Sequence, residues 1–160
     1  MTLAFYLSAA VAIISTVLVI GGRNPVHALL YLVVSLLAVA VIFFLLGAPF
    51  AAALEVIVYA GAIMVLFLFV VMMLNLQWNE GLRRPEAWTG PALLVATLLA
   101  ELLYLFASGL PVRTGAEAVG PKAVGTVLLG PYLLAVELAS MLLLAGLVGA
   151  WHLGRPEARR

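Results

Sequence analysis

The chain has 160 residues, 66% of them hydrophobic and only 9% charged, with a net charge of +1 and a mean hydropathy of +1.25. So few charges cannot cover a water-soluble domain, which makes this an integral membrane protein. It has no cysteine, which excludes disulfides, thiolate metal sites and iron–sulfur ligation on this chain, and its near-neutral charge points to no nucleic-acid or acidic partner.

Five membrane-crossing helices are predicted, with the whole of 1–160 forming a single membrane domain. The first, about 3–20, lacks a basic leading region and outruns a signal-peptide core, so it reads as a retained helix ending at Gly21-Gly22. Asn24-Pro25 opens the second, about 26–46, because asparagine caps well and proline suits the first helical position. The third, about 51–76, follows Gly47 and Pro49; it exceeds the roughly 20 apolar residues needed to span a bilayer core. Gly90-Pro91 is expected to open the fourth, about 91–108, and Gly130-Pro131 the fifth, about 131–152. In the link before the fifth, KAVGTVLL reads as a short helix along the membrane surface.

Charge sets the expected orientation. With alternating loops, Arg23, Arg83, Arg84, Arg155, Arg159 and Arg160 fall on one side, and Arg113 and Lys122 on the other. The richer side is cytoplasmic by the positive-inside rule, which puts the N-terminus outside and the C-terminus in the cytoplasm.

The third helix carries the strongest functional signal. Glu55 lies about one turn from its start and Tyr59 follows one turn later on the same face. An ionisable group inside a membrane is expensive and marks a functional site by default. Glu55 is therefore a candidate to take and give protons; the plainer alternative has it reach headgroups or pair with a lysine of another chain. Tyr59 is either a hydrogen-bonding partner in such a relay or a packing aromatic.

Ala60-Gly61-Ala62 places three small residues at the middle of that helix. They permit close helix packing or a π-bulge, a one-residue insertion common at functional sites. Absorbing or releasing one residue turns everything beyond it by about 100°. Met64, Val65, Phe67 and Leu68 would then swing into or out of a water path.

Elsewhere, Glu137 with Ser140 in the fifth helix reads as a structural carboxyl or a second proton-path candidate. Glu101, in LLAELLYLF, has only Tyr104 and Ser108 as polar company on its own helix; otherwise a neighbouring chain or a lipid defect receives it, and the sequence does not choose between these. Ser15, Thr16 and Ser35 are expected to bond back to their own helices, and His27 to act as an interfacial anchor. No metal pair, phosphate loop or nucleophile–base pair stands out.

Asn24–Asn75, with the core ALE-x-IVYAGAIMVLF, and Ala118–Ala150 together resemble the subunit J family of the bacterial proton-pumping NADH:quinone oxidoreductase, respiratory complex I, in its gamma-proteobacterial form. Gln77–Gly115 does not share the likeness, so Glu101 inherits nothing from it.

The resemblance implies five membrane helices in the bacterial inner membrane with the N-terminus outside. It implies contact with the membrane subunits A, K and H: a place beside the first two, between the third, which is quinone-proximal, and the antiporter-like subunits. FMN, iron–sulfur clusters and quinone would belong to other chains, and no redox centre or substrate site to this one. It maps a π-bulge onto Tyr59–Ala62, a switch that opens or closes a hydrated link to buried glutamates of subunit K, and matches Glu55 to an acidic position on the same helix. The expected function is thus a membrane-arm subunit of a proton-translocating oxidoreductase. The alternatives are a purely structural or assembly subunit of that complex, or a small subunit of a cation/proton antiporter.

Overall fold

A computed structural model describes residues 2–22, 24–74, 86–107 and 119–154. All regular structure among them is helical. In chain order the elements are α1 (Thr2–Gly21), α2 (Pro25–Leu45), α3 (Pro49–Met73), α4 (Glu86–Ala107), the short α5 (Pro121–Leu128) and α6 (Leu133–Gly154). Five of them, all but α5, are long and apolar enough to cross a membrane. The seven arginines used for orientation, with Asn75, Leu76 and Ser108, lie outside the described residues.

The chain divides into two compact units, Met1–Val119 and Gly120–Arg160. In the first, α1 and α2 pack as an antiparallel pair and α4 lies against both. Val11, Val34, Ala38 and Leu98 form one buried cluster and Ala4, Leu45 and Leu105 a second. Ala4 and Ala38 let the helix backbones approach closely among the larger Val and Leu side chains, as packing in lipid favours. The second unit holds α5 and α6, and α6 has no buried residue.

Local chemistry explains the helix ends. The Asn24 side chain accepts a hydrogen bond from the Val26 amide at 3.0 Å with Pro25 in the first helical position, as the Asn-Pro pair predicts. At the other end of α2, Gly47 takes φ 83°. Its N–H bonds the Phe44 carbonyl at 3.2 Å and that of Ala48 bonds Phe43 at 3.0 Å, the paired closure of a Schellman turn. The Gly47 carbonyl in turn accepts from the Val119 amide at 3.1 Å.

Gly47→Ala is expected to cost roughly 1–2 kcal/mol, because an L side chain is strained in the left-handed region. Gly146→Ala on α6, where an added Cβ meets nothing within 4 Å, should instead stabilise by up to about 1 kcal/mol. Opposite shifts in the thermal unfolding of the purified complex would check the pair.

Two boundaries differ from the sequence reading: Pro49, expected in the turn, is the first residue of α3, and α4 starts before Gly90-Pro91. The chain is already helical at Glu86, so Pro91 sits inside α4 rather than opening it. The proline withholds one backbone donor, a loss that membrane helices make good through neighbouring groups. Gly90 serves packing instead of capping: a Cβ there would run into the hydroxyl of Tyr31 on α2. Gly130-Pro131 does precede its helix, in the turn before Leu133, and KAVGTVLL coincides with α5.

Candidate functional site

The third span is one 25-residue rod wound in two ways. Pro49–Leu54 and Met64–Met73 are α-helical, and the nine residues Glu55–Ile63 between them form a π-helix. At its exit the Met64 N–H bonds the Tyr59 carbonyl, five residues back rather than four. The predicted bulge at Tyr59–Ala62 therefore lies inside a longer π segment that starts at Glu55.

Gly61 fits this winding for a steric reason. A Cβ at this position would stand 3.1 Å from the Val56 carbonyl oxygen, itself five residues back. That is tighter than ordinary carbon–oxygen contact, so glycine leaves the wider turn room to form. Ala60 and Ala62 on either side keep the rod thin, and Ala60 is half-buried while Ala62 is exposed.

Beyond the π segment Met64 is turned inward and only 5% exposed. Val65 and Phe67 face outward at 60% and 52%, and Leu68 is intermediate. The switch residues expected from the sequence therefore straddle the rod, one seated against its neighbours and two on the outer surface.

Glu55 and Tyr59 both belong to the π segment, Glu55 partly buried and Tyr59 51% exposed. Neither side chain forms a hydrogen bond among the described residues, so the relay expected between them is not closed within this chain. Glu137 is exposed on α6, in the other unit, and Ser140 donates to the Val136 carbonyl of its own helix at 2.9 Å instead of bonding Glu137.

The best-formed polar contact of the bundle involves two residues with little to mark them in the sequence. The Ser8 hydroxyl on α1 lies 2.9 Å and 3.0 Å from the two carboxyl oxygens of Glu101 on α4. Ser8 is fully buried and Glu101 is 9% exposed. Within this chain the Glu101 carboxyl is met by a serine, a partner on another helix that the sequence reading did not find. A serine 93 positions away in an apolar helix gives no local signal of such a role.

Thr16 bonds back to the Ala12 carbonyl at 2.8 Å, as expected, but its hydroxyl also meets that of Ser35 across the α1–α2 contact at 2.9 Å. Ser15 Oγ and His27 Nε2 are buried without a hydrogen-bond partner among the described residues. No three metal-ligating side chains come together among the described residues.

Comparison with known proteins completes the picture. Residues 15–153 match the family described as NADH-ubiquinone/plastoquinone oxidoreductase chain 6. The chain is 57% identical to NADH-quinone oxidoreductase subunit J of Pseudomonas aeruginosa, over 100% of both sequences. It is 55% identical to the protein of the same name from Escherichia coli K12, covering 98% of this chain and 88% of the relative. With subunit J of Buchnera aphidicola from Schizaphis graminum the identity is 46%, over 98% and 99%. A multi-pass chain with five such helices, matched from end to end by these relatives, belongs to the NADH-quinone oxidoreductase subunit J family and is a membrane subunit of complex I.

Proposed function

We propose that this chain couples quinone reduction to proton translocation, with the π segment of α3 as the switching element and Glu55 as a carboxyl on the route. The observation that carries the reading is the nine-residue π-helix at Glu55–Ile63, within a span that is otherwise α-helical.

A π-helix holds one residue more than the α-helix that would replace it, and its hydrogen-bond geometry makes it rare outside functional sites. Rewinding that stretch as an α-helix turns Met64–Met73 by about 100° and moves it about 1.5 Å along the axis. Ile63 would then take the inward seat that Met64 now holds, and Met64 would turn outward. Both states satisfy every backbone group within the rod, as the membrane interior demands. The two windings therefore form a bistable element that a redox event elsewhere in the complex can bias.

The same reading treats the chain as one membrane domain in the bacterial inner membrane, N-terminus outside and C-terminus cytoplasmic. Its neighbours are the membrane subunits A, K and H and an antiporter-like subunit. The chain has no cysteine to ligate an iron–sulfur cluster, and by family membership FMN and the quinone site are likewise assigned to other subunits. The largely exposed apolar surface of α6, which has no buried residue, supports extensive contact with lipid and neighbouring subunits. A separate antiporter role loses its appeal once the family is known.

The test is proton uptake and NADH oxidation by the complex in sealed vesicles, for variants in the π segment. Glu55→Gln keeps size and polarity but cannot ionise. Proton translocation should fall by less than about tenfold, under about 1.4 kcal/mol of barrier, because Glu55 shares the route with carboxyls of other subunits. An unchanged ratio of protons moved to NADH oxidised would remove Glu55 from that route.

A further inference from the structure

The contact between Ser8 and Glu101 lies outside the switching helix, and no part of the coupling mechanism uses it. Each residue stands six positions inside its span, Ser8 from Thr2 and Glu101 from Ala107. Both are therefore about 9 Å in from the same end of the bundle. Ala4 and Leu105 close the apolar cluster on one side of the pair, Val11 and Leu98 on the other.

Hydrogen count decides what this geometry accepts. Ser8 brings one hydroxyl hydrogen, and both carboxyl oxygens are within 3.0 Å of its oxygen. An ionised carboxyl is acceptor-only, so one hydrogen would be shared between two oxygens and the remaining lone pairs would have no donor among the described residues. A neutral acid brings a second hydrogen. Its O–H donates to Ser8 Oγ from one oxygen while the Ser8 hydroxyl donates to the other, and both short distances become hydrogen bonds.

Among the described residues no basic side chain pairs with this carboxyl. Burial and the Ser8 contact are what act on this carboxyl among the described residues. On α1 the titratable group is Tyr6, 71% exposed. On α2 they are His27 and Tyr31; Tyr31 lies against Gly90, eleven residues before Glu101 on α4, and His27 is a turn further off. Glu55 and Tyr59 sit on α3. Tyr104, one turn past Glu101, lines the same groove.

That groove gives access. It runs between α1 and α4 with a volume of about 770 Å³, and Glu101, Tyr104 and Thr97 supply its polar atoms among apolar walls such as Leu3 and Leu7. Leu3 is 78% exposed at the end of α1, so the groove reaches the end of the bundle nearest the pair.

We propose that Ser8 and Glu101 form a proton-binding site inside the membrane, in which the Glu101 carboxyl holds a proton against the Ser8 hydroxyl and exchanges it through the groove between α1 and α4. The site is a second protonatable centre, independent of whether α3 rewinds.

Two measurements on the intact complex test it. In infrared difference spectra, subtracting Glu101→Gln from the unaltered complex at neutral pH should reveal the carbonyl band of a neutral acid. Ser8→Ala, which removes both hydrogen bonds, should shift that band without abolishing it. A carboxylate pair of bands in its place would overturn the proposal, whether the charge is met by water or by a cation of another subunit.

The second measurement needs no variant and so survives a failure of either to assemble. A hydrophobic carbodiimide adds the carboxyl O–H across its C=N bond, giving an O-acylisourea that rearranges to a stable N-acylurea on the same carboxyl carbon. Peptide mapping should find this adduct on Glu101, formed at neutral pH and lost as alkali removes the proton. Its absence, while another membrane carboxyl of the complex reacts, would equally overturn the site.

Discussion

Gly61→Val should leave the complex assembled, slow its quinone reduction and abolish proton translocation. The reason is a difference between the two windings of α3 at one position. In the π form a Cβ on residue 61 lies 3.1 Å from the Val56 carbonyl oxygen, and valine adds two methyl groups beside it. In a regular α form the same side chain meets only the neighbours that any membrane helix provides. The substitution therefore penalises one state of the switch and spares the other. Overpacking of this kind costs typically about 1–3 kcal/mol, a shift of about fivefold to 150-fold in the population of the π form. Gly61→Ala should show a smaller effect of the same sign and Gly61→Leu one comparable to valine. Sealed vesicles with a pH-sensitive dye, alongside NADH oxidation, give the ratio that matters. A normal ratio in the valine variant would reject the gate, and a complex that fails to assemble would favour the purely structural reading.

Much of the bundle was legible from hydrophobic runs and punctuation, because a membrane span declares itself by length and a capped end by one or two residues. Asn24-Pro25 and Gly47 behave as their chemistry predicts, since each acts on backbone groups within a few residues of itself. Pro91 misled because its neighbour Gly90 answers to Tyr31 on another helix, a contact no local pattern encodes. Three small residues left close packing and a π-bulge open, and the family resemblance placed the bulge at Tyr59–Ala62. The length of the π segment was not legible, since the winding depends on where the rod can recover α geometry, at Glu55 and Met64. The Ser8–Glu101 contact was invisible for the same physical reason: the partner of a buried carboxyl is chosen by helix packing, and here it comes from the first helix of the same chain.

Deleting Ala62 should yield a complex that assembles, resists heat at least as well as the unaltered one, and oxidises NADH without moving protons. A one-residue deletion in an ordinary membrane helix turns everything after it by about 100° and ruins its packing. Removing Leu36 from α2, for instance, would take Ala38 and Leu45, 0% and 5% exposed, off the core, and assembly should fail. The π segment inverts this expectation. Its nine residues carry one more than an α-helix of the same span, so deleting one converts Glu55–Ile63 to regular winding. Met64 then keeps its present inward seat, and so does every residue to Met73. The deletion thus preserves the packed surface of the bulged state while removing the residue that makes rewinding possible. Val65 and Phe67 would stay on the outer face permanently, and the switch would have one position. Normal pumping by this variant would mean that the π turn only accommodates a neighbour, and that coupling runs through another element of the complex.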